Sequence, residues 1–277
     1  MALPFPLSVS YANRLEQCTS AEDLRSLALE LSDYLEKNPK DIVVSMLLLI
    51  QCYMNLDDIE NAEIVLDRCY KLVNGDVAFD LAMFKAEIES RKGNRRKSIE
   101  IIRQLLDNDA LIEPERKIKA LSLFAVYNYS MLYYDETHKV MKELWYIINH
   151  ENEINYEDDN LFYSRISQYT DPLPLIEVMD NLKSCLHGRE LLKDKTYSEL
   201  YEYVKEYAKG NPVIEEIIPY EEVDIDFEAE KYFSLKIITK PLSIEDAFNL
   251  EAAIFQIVMS KYPGISVLVD VVGSRYD

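Results

Sequence analysis

The sequence predicts a mainly α-helical protein, in which a solenoid of helical hairpins is followed by extra helices and a small C-terminal α/β unit. Three observations support this prediction. Between about residues 20 and 150, apolar residues recur every three or four positions in segments that short polar turns separate. From Val223 to Thr239, apolar and polar residues alternate, which is typical of a strand with one buried face. A helical segment and a last apolar run then complete a strand–helix–strand order.

Residues that start or stop helices delimit the N-terminal segments. Ser20 is a suitable N-cap for a helix that continues to residue 36, and Asn38-Pro39 ends it. Gly93-Asn94 separates two further helices, and Pro114 fits the first turn of another, where no N–H is needed. The remaining helices of this region are predicted at residues 40–55, 59–73, 77–92, 95–106, 114–133 and 135–149.

A polar, acidic stretch at residues 151–160 predicts an exposed connection. Two more helices are predicted at residues 174–186 and 196–209, with Gly188 marking the end of the first. The pattern therefore divides the chain into helical repeats (1–150), a linker with two helices (151–212) and an α/β unit (213–277).

The C-terminal unit is predicted to contain strands near residues 223–239 and 265–272 around a helix at residues 243–261. Ser243 to Asp246 form a capping-box pattern at the start of that helix. Residues 223–239 fit one long strand or a hairpin that turns near residues 228–231. Because two parallel strands alone are marginal, a third strand must come from residues 223–227, from residues 214–218 or from another molecule.

Composition argues against several classes of partner. The 277 residues carry a net charge of −20, which opposes binding to nucleic acid or to anionic lipid. The longest apolar run, near residues 42–50, is too short to cross a membrane, which takes about 20 residues. Residues 1–10 lack the pattern of a signal peptide. Four scattered cysteines indicate a reduced, cytoplasmic protein.

The sequence contains few groups arranged for catalysis. It has no G-x-S-x-G, H-E-x-x-H, P-loop or G-x-G-x-x-G motif. The three histidines have no neighbours at metal-ligand spacing, and Cys185 with His187 is a poor dyad because side chains so close in sequence seldom face each other. We therefore expect a non-enzymatic protein without catalytic residues, cofactor or metal.

The helical region resembles tetratricopeptide repeats, which are 34-residue helical hairpins. The best match begins at Val43, and weaker matches begin at Phe79 and near Ile118. The residues that carry the resemblance are Leu49, Ile50, Tyr53, Ala62, Leu66 and Cys69, then Ala86, Gly93, Ser98 and Ile102, then Phe124, Ala125, Met141 and Leu144. The small residues Ala62, Ser98 and Thr137 are 36 and 39 positions apart, so the period is longer than in the family.

In that family, the first helix of each hairpin lines a concave groove that holds a partner polypeptide. The resemblance therefore implies a groove with these residues: Gln51, Asn55, Met83, Glu87, Arg91, Ser122, Val126 and Tyr129. The set lacks the paired bases with which some relatives bind a terminal carboxylate. For each residue, a packed or solvated helix position is the alternative.

Two charged segments stand out. An acidic surface is predicted at Glu215, Glu216, Glu221, Glu222, Asp224 and Asp226. It fits an edge strand whose charges discourage aggregation, a docking surface for a basic protein, or a cation site. Five bases lie between Arg91 and Lys97 at one turn. They fit a solvated turn, or a contact with a phosphate or an acidic segment.

Three functions follow from these patterns. The first is a protein-interaction module, such as an adaptor, chaperone or assembly factor, that binds its partner in the groove. The second is an acidic inhibitor of the immunity or antitoxin kind that neutralises a basic protein. The third is an enzyme with an unrecognised site near Thr239 and Gly273. We also expect the strand at residues 265–272 to form a homodimer or to join a partner's sheet.

Overall fold

The structure, a computed structural model, describes residues 7–37, 42–72, 78–108, 112–151, 154–155, 159–224 and 230–273. In this part of the chain there are twelve helices and one three-stranded sheet, so the protein is mainly α with a small sheet near its C-terminal end, as predicted. The chain divides into two compact units, Met1–Ile112 and Glu113–Tyr276. The sequence pattern predicts boundaries at residues 150 and 212.

The first unit is built from helices that pack against their neighbours in sequence. They are α1 (Leu7–Gln17), α2 (Ala21–Lys37), α3 (Ile42–Asn55), α4 (Ile59–Tyr70), α5 (Ala78–Arg91) and α6 (Arg95–Asp107). Alternate helices are also in contact: α3 packs against both α1 and α5. The core contains Leu31, Ile50 and Leu66, each fully buried.

The turns of this unit follow from local chemistry. The Asp58 side chain accepts a hydrogen bond from the backbone N–H of Asn61 and so caps α4. Gly93, at φ +90°, provides the left-handed turn between α5 and α6. Ser98 at the start of α6 is fully buried, and its hydroxyl donates to the carbonyl of Ala86, 2.5 Å away. Small residues therefore lie where α5 and α6 approach each other.

In its described residues, the second unit has five helices before the first strand of its sheet and one between the last two strands. They are α7 (Pro114–Ser130), α8 (Tyr134–Asn149), α9 (Asp159–Ile166), α10 (Leu173–Leu191), α11 (Lys195–Lys209) and α12 (Ile244–Lys261). The only tryptophan of the chain, Trp145, is fully buried on α8 and stacks on Phe162 of α9, with ring centroids 5.6 Å apart.

The sheet has the order β1 (Ile214–Asp224), β2 (Glu230–Thr239), β3 (Val267–Gly273). The β1 and β2 strands are antiparallel, with Ile217 opposite Ile237, and β2 and β3 are parallel, with Phe233 opposite Val267. This arrangement decides between the alternatives. Residues 214–224 supply the third strand, and the described residues between 223 and 239 belong to two strands rather than to one. The predicted strand–helix–parallel-strand unit is confirmed.

Helices cover both faces of this sheet. Phe233, Leu235 and Ile237 of β2 pack with Leu200 of α11 and Ile254 of α12. Tyr220 and Ser234, which are opposite each other in the ladder, face the other side. There the Tyr220 hydroxyl donates to Asn181 of α10 at 2.6 Å.

Gly188 lies inside α10, so its interpretation as a helix end is wrong. A Cβ atom at this position would come within 2.3 Å of the backbone nitrogen of Tyr220. Gly188 thus allows α10 to lie directly against the backbone of β1, and this close packing explains why a glycine occurs inside the helix.

Two helices, α1 and α9, were not predicted.

Candidate partner-binding surface

The predicted groove residues of the first unit lie on α3 and α5, two helices that contact each other. On α3, Gln51 and Asn55 are one turn apart, and the Gln51 amide donates to the Asn55 side-chain oxygen at 2.9 Å. Val44 and Leu48 lie on the same face of α3, because the positions 44, 48, 51 and 55 are spaced by four, three and four residues. Val44 is 48% exposed. The α3 face is therefore apolar near the start of the helix and polar near its end.

On α5, Met83, Glu87 and Arg91 occupy one face at the same spacing. Met83 and Glu87 are half-buried. The Arg91 guanidinium donates to the carbonyl of Met54 at 2.8 Å and pairs with Glu87 at 3.0 Å. Arg91 therefore ties the end of α5 to the end of α3 and brings the polar ends of the two faces together.

The three other predicted groove residues belong to the second unit. Ser122 is 3% exposed, and its hydroxyl donates to the Ile118 carbonyl one turn earlier. As the structure places it, Ser122 offers no surface to a partner. Val126 and Tyr129 are half-buried, and the Tyr129 ring packs edge-on against Tyr134.

Among the described residues, ion pairs within the first unit engage three of the five bases between Arg91 and Lys97. Arg91 pairs with Glu87, Lys92 with Glu63, and Lys97 with Glu89. Arg95 and Arg96 precede the exposed Lys97 in the first turn of α6. Part of this basic segment therefore joins helices of the same unit.

Glu89 is the centre of that network. Its carboxylate is 1% exposed and accepts from Lys97 at 2.8 Å and from Asn94 at 2.7 Å, while Lys85 lies 3.2 Å away. Burial raises the pKa of Glu89, but these hydrogen bonds outweigh it and hold the pKa at about 2. Hydrogen bonds from Lys85 and Lys92 likewise lower the pKa of Glu63 on α4. Neither the sequence motifs nor the repeat pattern pointed to this network.

The predicted acidic surface is split along β1. Glu215 and Glu216 line an open groove of about 330 Å³ with Tyr201, Lys205 and Lys209 of α11. Glu222 is exposed near the other end of the strand. At about 3.3 Å per residue, it lies roughly 20 Å from Glu216 along β1. Asp226 and the side chain of Asp224 lie outside the described residues.

Glu221 is mostly buried and lies 3.0 Å from Nδ1 of His187, so this acid contacts α10 rather than facing solvent.

Cys185 is also on α10 and is buried. Burial raises the pKa of its thiol to about 12, which opposes formation of a nucleophilic thiolate. Across the described ranges, no group of three or more His, Cys, Asp or Glu side chains is placed to hold a metal ion.

Thr239 and Gly273 are opposite each other at the ends of β2 and β3. An unrecognised enzyme site, if present, was expected near these two residues. Thr239 is fully buried.

Among the helices described, none combines the length and the apolar character that crossing a membrane requires. The chain matches no protein-family model and no curated protein.

Proposed function

We propose that this chain is a non-catalytic protein that binds another polypeptide on the face formed by α3 and α5. The observation that carries the proposal is the contact between these two alternate helices, which places two half-exposed stripes side by side. This arrangement supports a repeat of the tetratricopeptide kind, in which first helices line the binding surface. An adaptor, a chaperone or an assembly factor would use such a surface.

The chemistry of the face favours a partner segment that has apolar anchors at one end and polar groups at the other. Val44, Leu48 and Met83 provide apolar contact area. Gln51 and Asn55 carry amides that both donate and accept, so they suit the backbone of an extended or helical segment. The four cysteines are free, which supports residence in a reducing compartment such as the cytoplasm.

A second function has its own support. The net charge of −20 and the exposed Glu215, Glu216 and Glu222 favour an acidic inhibitor that neutralises a basic protein. Contacts between exposed charges weaken as salt rises, whereas apolar contacts do not. Salt dependence therefore separates the two functions.

The test is affinity capture from native lysate with the wild-type chain and two matched variants, Val44→Lys and Ile64→Lys. Both side chains are exposed aliphatic residues on helices of the first unit, at 48% and 57%, but only Val44 lies on the proposed face. We expect a captured protein that Val44→Lys loses, that Ile64→Lys retains and that survives about 1 M salt, where screening is nearly complete.

A partner that both variants retain would refute the proposed face. A partner that is lost at about 0.3 M salt, and recovered when salt is removed, would identify the acidic inhibitor instead.

A further inference from the structure

An apolar stripe is exposed along one flank of α12. Ile244 is 89% exposed, Phe248 70% and Phe255 43%, and Ala252 and Met259 continue the same line. These five positions are spaced by four, four, three and four residues, so they share one face. Large aromatic side chains with this exposure mark a contact surface when they are contiguous.

The stripe borders one edge of the sheet. A strand–helix–parallel-strand connection is right-handed in nearly all proteins. The buried face of α12 carries Leu250, Ile254 and Val258. With a right-handed crossover, the flank that carries Phe248 and Phe255 points past β3, away from α11.

The two edges of the sheet differ in chemistry. At the β1 edge, Tyr201 donates its hydroxyl to the carbonyl of Ile217, and Pro219, two residues on, has no N–H to offer. The β3 strand contains no proline, and Asp270 is its one charged residue. The β1 edge is therefore protected against strand addition, whereas β3 has the features of an edge that accepts another strand.

The stripe is complementary to a copy of itself. If two α12 helices pack antiparallel around Ala252, Phe248 of one copy lies opposite Phe255 of the other, and Ile244 lies opposite Met259. The small Ala252 at the centre permits a close approach of the two helices. This is the symmetry that a two-fold interface requires, where one patch meets the same patch.

Charge at the helix ends also fits this pairing. Glu245 and Asp246 lie in the first turn of α12, and Lys261 lies in its last. An antiparallel pair brings the acids of each copy toward Lys261 of the other and aligns the two helix dipoles favourably.

We propose that a second copy of this chain binds here, with the α12 stripes packed antiparallel and the β3 edges adjacent. The resulting dimer has a two-fold axis near Ala252. It is independent of the surface on α3 and α5, because it uses different residues in the other unit.

The test compares Phe248→Asp with Leu29→Asp by sedimentation velocity across a concentration series. Both side chains are 70% exposed, but Leu29 lies on α2, so it is a matched control. We expect wild type and Leu29→Asp to sediment at twice the 32.3 kDa chain mass. Phe248→Asp should weaken association at least about 100-fold, because an unpaired carboxylate is buried in an apolar contact. Far-ultraviolet circular dichroism verifies that each variant is folded.

Two further readouts examine the geometry. Ala252→Cys should form an intermolecular disulfide on mild oxidation, whereas Asn249→Cys, exposed on the polar flank of α12, should not. Backbone amides of β3 should exchange more slowly in wild type than in Phe248→Asp.

The proposal is overturned if wild type remains monomeric up to about 100 µM, a concentration at which even micromolar dimers form. It is also overturned if Phe248→Asp dimerises like wild type, or if Asn249→Cys crosslinks as readily as Ala252→Cys. Equal exchange of the β3 amides in dimer and monomer would exclude the contribution of the strand edge.

Discussion

Replacing Gly188 by alanine measures how closely α10 lies against β1. Alanine favours a helix over glycine by about 1 kcal/mol, so the local effect of Gly188→Ala is stabilising. The added Cβ, however, lies 2.3 Å from the nitrogen and 2.5 Å from the Cα of Tyr220. Normal contacts are about 3.5 Å, so α10 and β1 must separate by about 1 Å.

The obstacle is backbone, so a side-chain rotation does not relieve it. Overpacking costs about 1–3 kcal/mol, and a backbone clash belongs at the upper end of that range or beyond it. After subtracting the gain in helix propensity, we expect a loss of about 2 kcal/mol in the free energy of unfolding. For a unit of this size, that corresponds to a decrease in Tm of about 4–8 °C.

Urea unfolding followed by Trp145 fluorescence is a suitable assay, because this buried tryptophan reports on the unit that contains Gly188. The matched control is Gly210→Ala at the end of α11, where the nearest atom to the new Cβ is 3.6 Å away and φ is −86°. We expect Gly210→Ala to leave the midpoint nearly unchanged. A Gly188→Ala midpoint equal to or above that of wild type would refute the close approach of α10 to β1.

Three other predictions concern the buried groups. Glu89→Gln should lower the free energy of unfolding by about 3 kcal/mol at pH 7, because the folded pKa of about 2 lies below the ordinary 4.5. That stabilisation is present above about pH 4.5 and is lost toward pH 2, so urea curves of wild type and variant should converge over this window, and a constant gap would contradict the ion-pair origin. Tyr220→Phe should cost about 1 kcal/mol in the same urea assay, because the bond to Asn181 is lost; no loss would mean that solvent replaces it. In the native protein, iodoacetamide should modify the half-exposed Cys18 well before Cys185, as peptide mapping would show, and the reverse order would contradict their burial.

The helices α2 to α8 were predictable because each has apolar residues at helical spacing, and some also have a recognisable stop. Gly93 is an example of such a stop, and the structure gives it the positive φ that a turn residue needs. The β1 strand was harder to predict, because Pro219 within an apolar run argues against a central strand. It becomes understandable once β1 is seen to lie at the edge of the sheet.

The errors and omissions come from contacts that join residues distant in sequence. Helices often end at a glycine, whereas Gly188 lies within α10, and its packing against the backbone of Tyr220 explains why a glycine occupies this position. Glu63 and Lys85 are 22 residues apart, so no local pattern predicts their hydrogen bond. The candidate groove residues came from the resemblance to tetratricopeptide repeats, and that matching of positions could not predict the burial of Ser122, which depends on its surroundings in the fold.

The difference between the two sheet edges has a consequence for how far assembly can proceed. A sheet with two receptive edges can add molecules without limit, which is the route to fibres. Here Pro219 and Tyr201 obstruct the β1 edge, so in the part of the chain that the structure describes, a molecule whose β3 edge is paired has no other receptive strand edge. Growth by edge pairing therefore terminates after a single step, and raising the protein concentration should fill a finite complex rather than lengthen a filament.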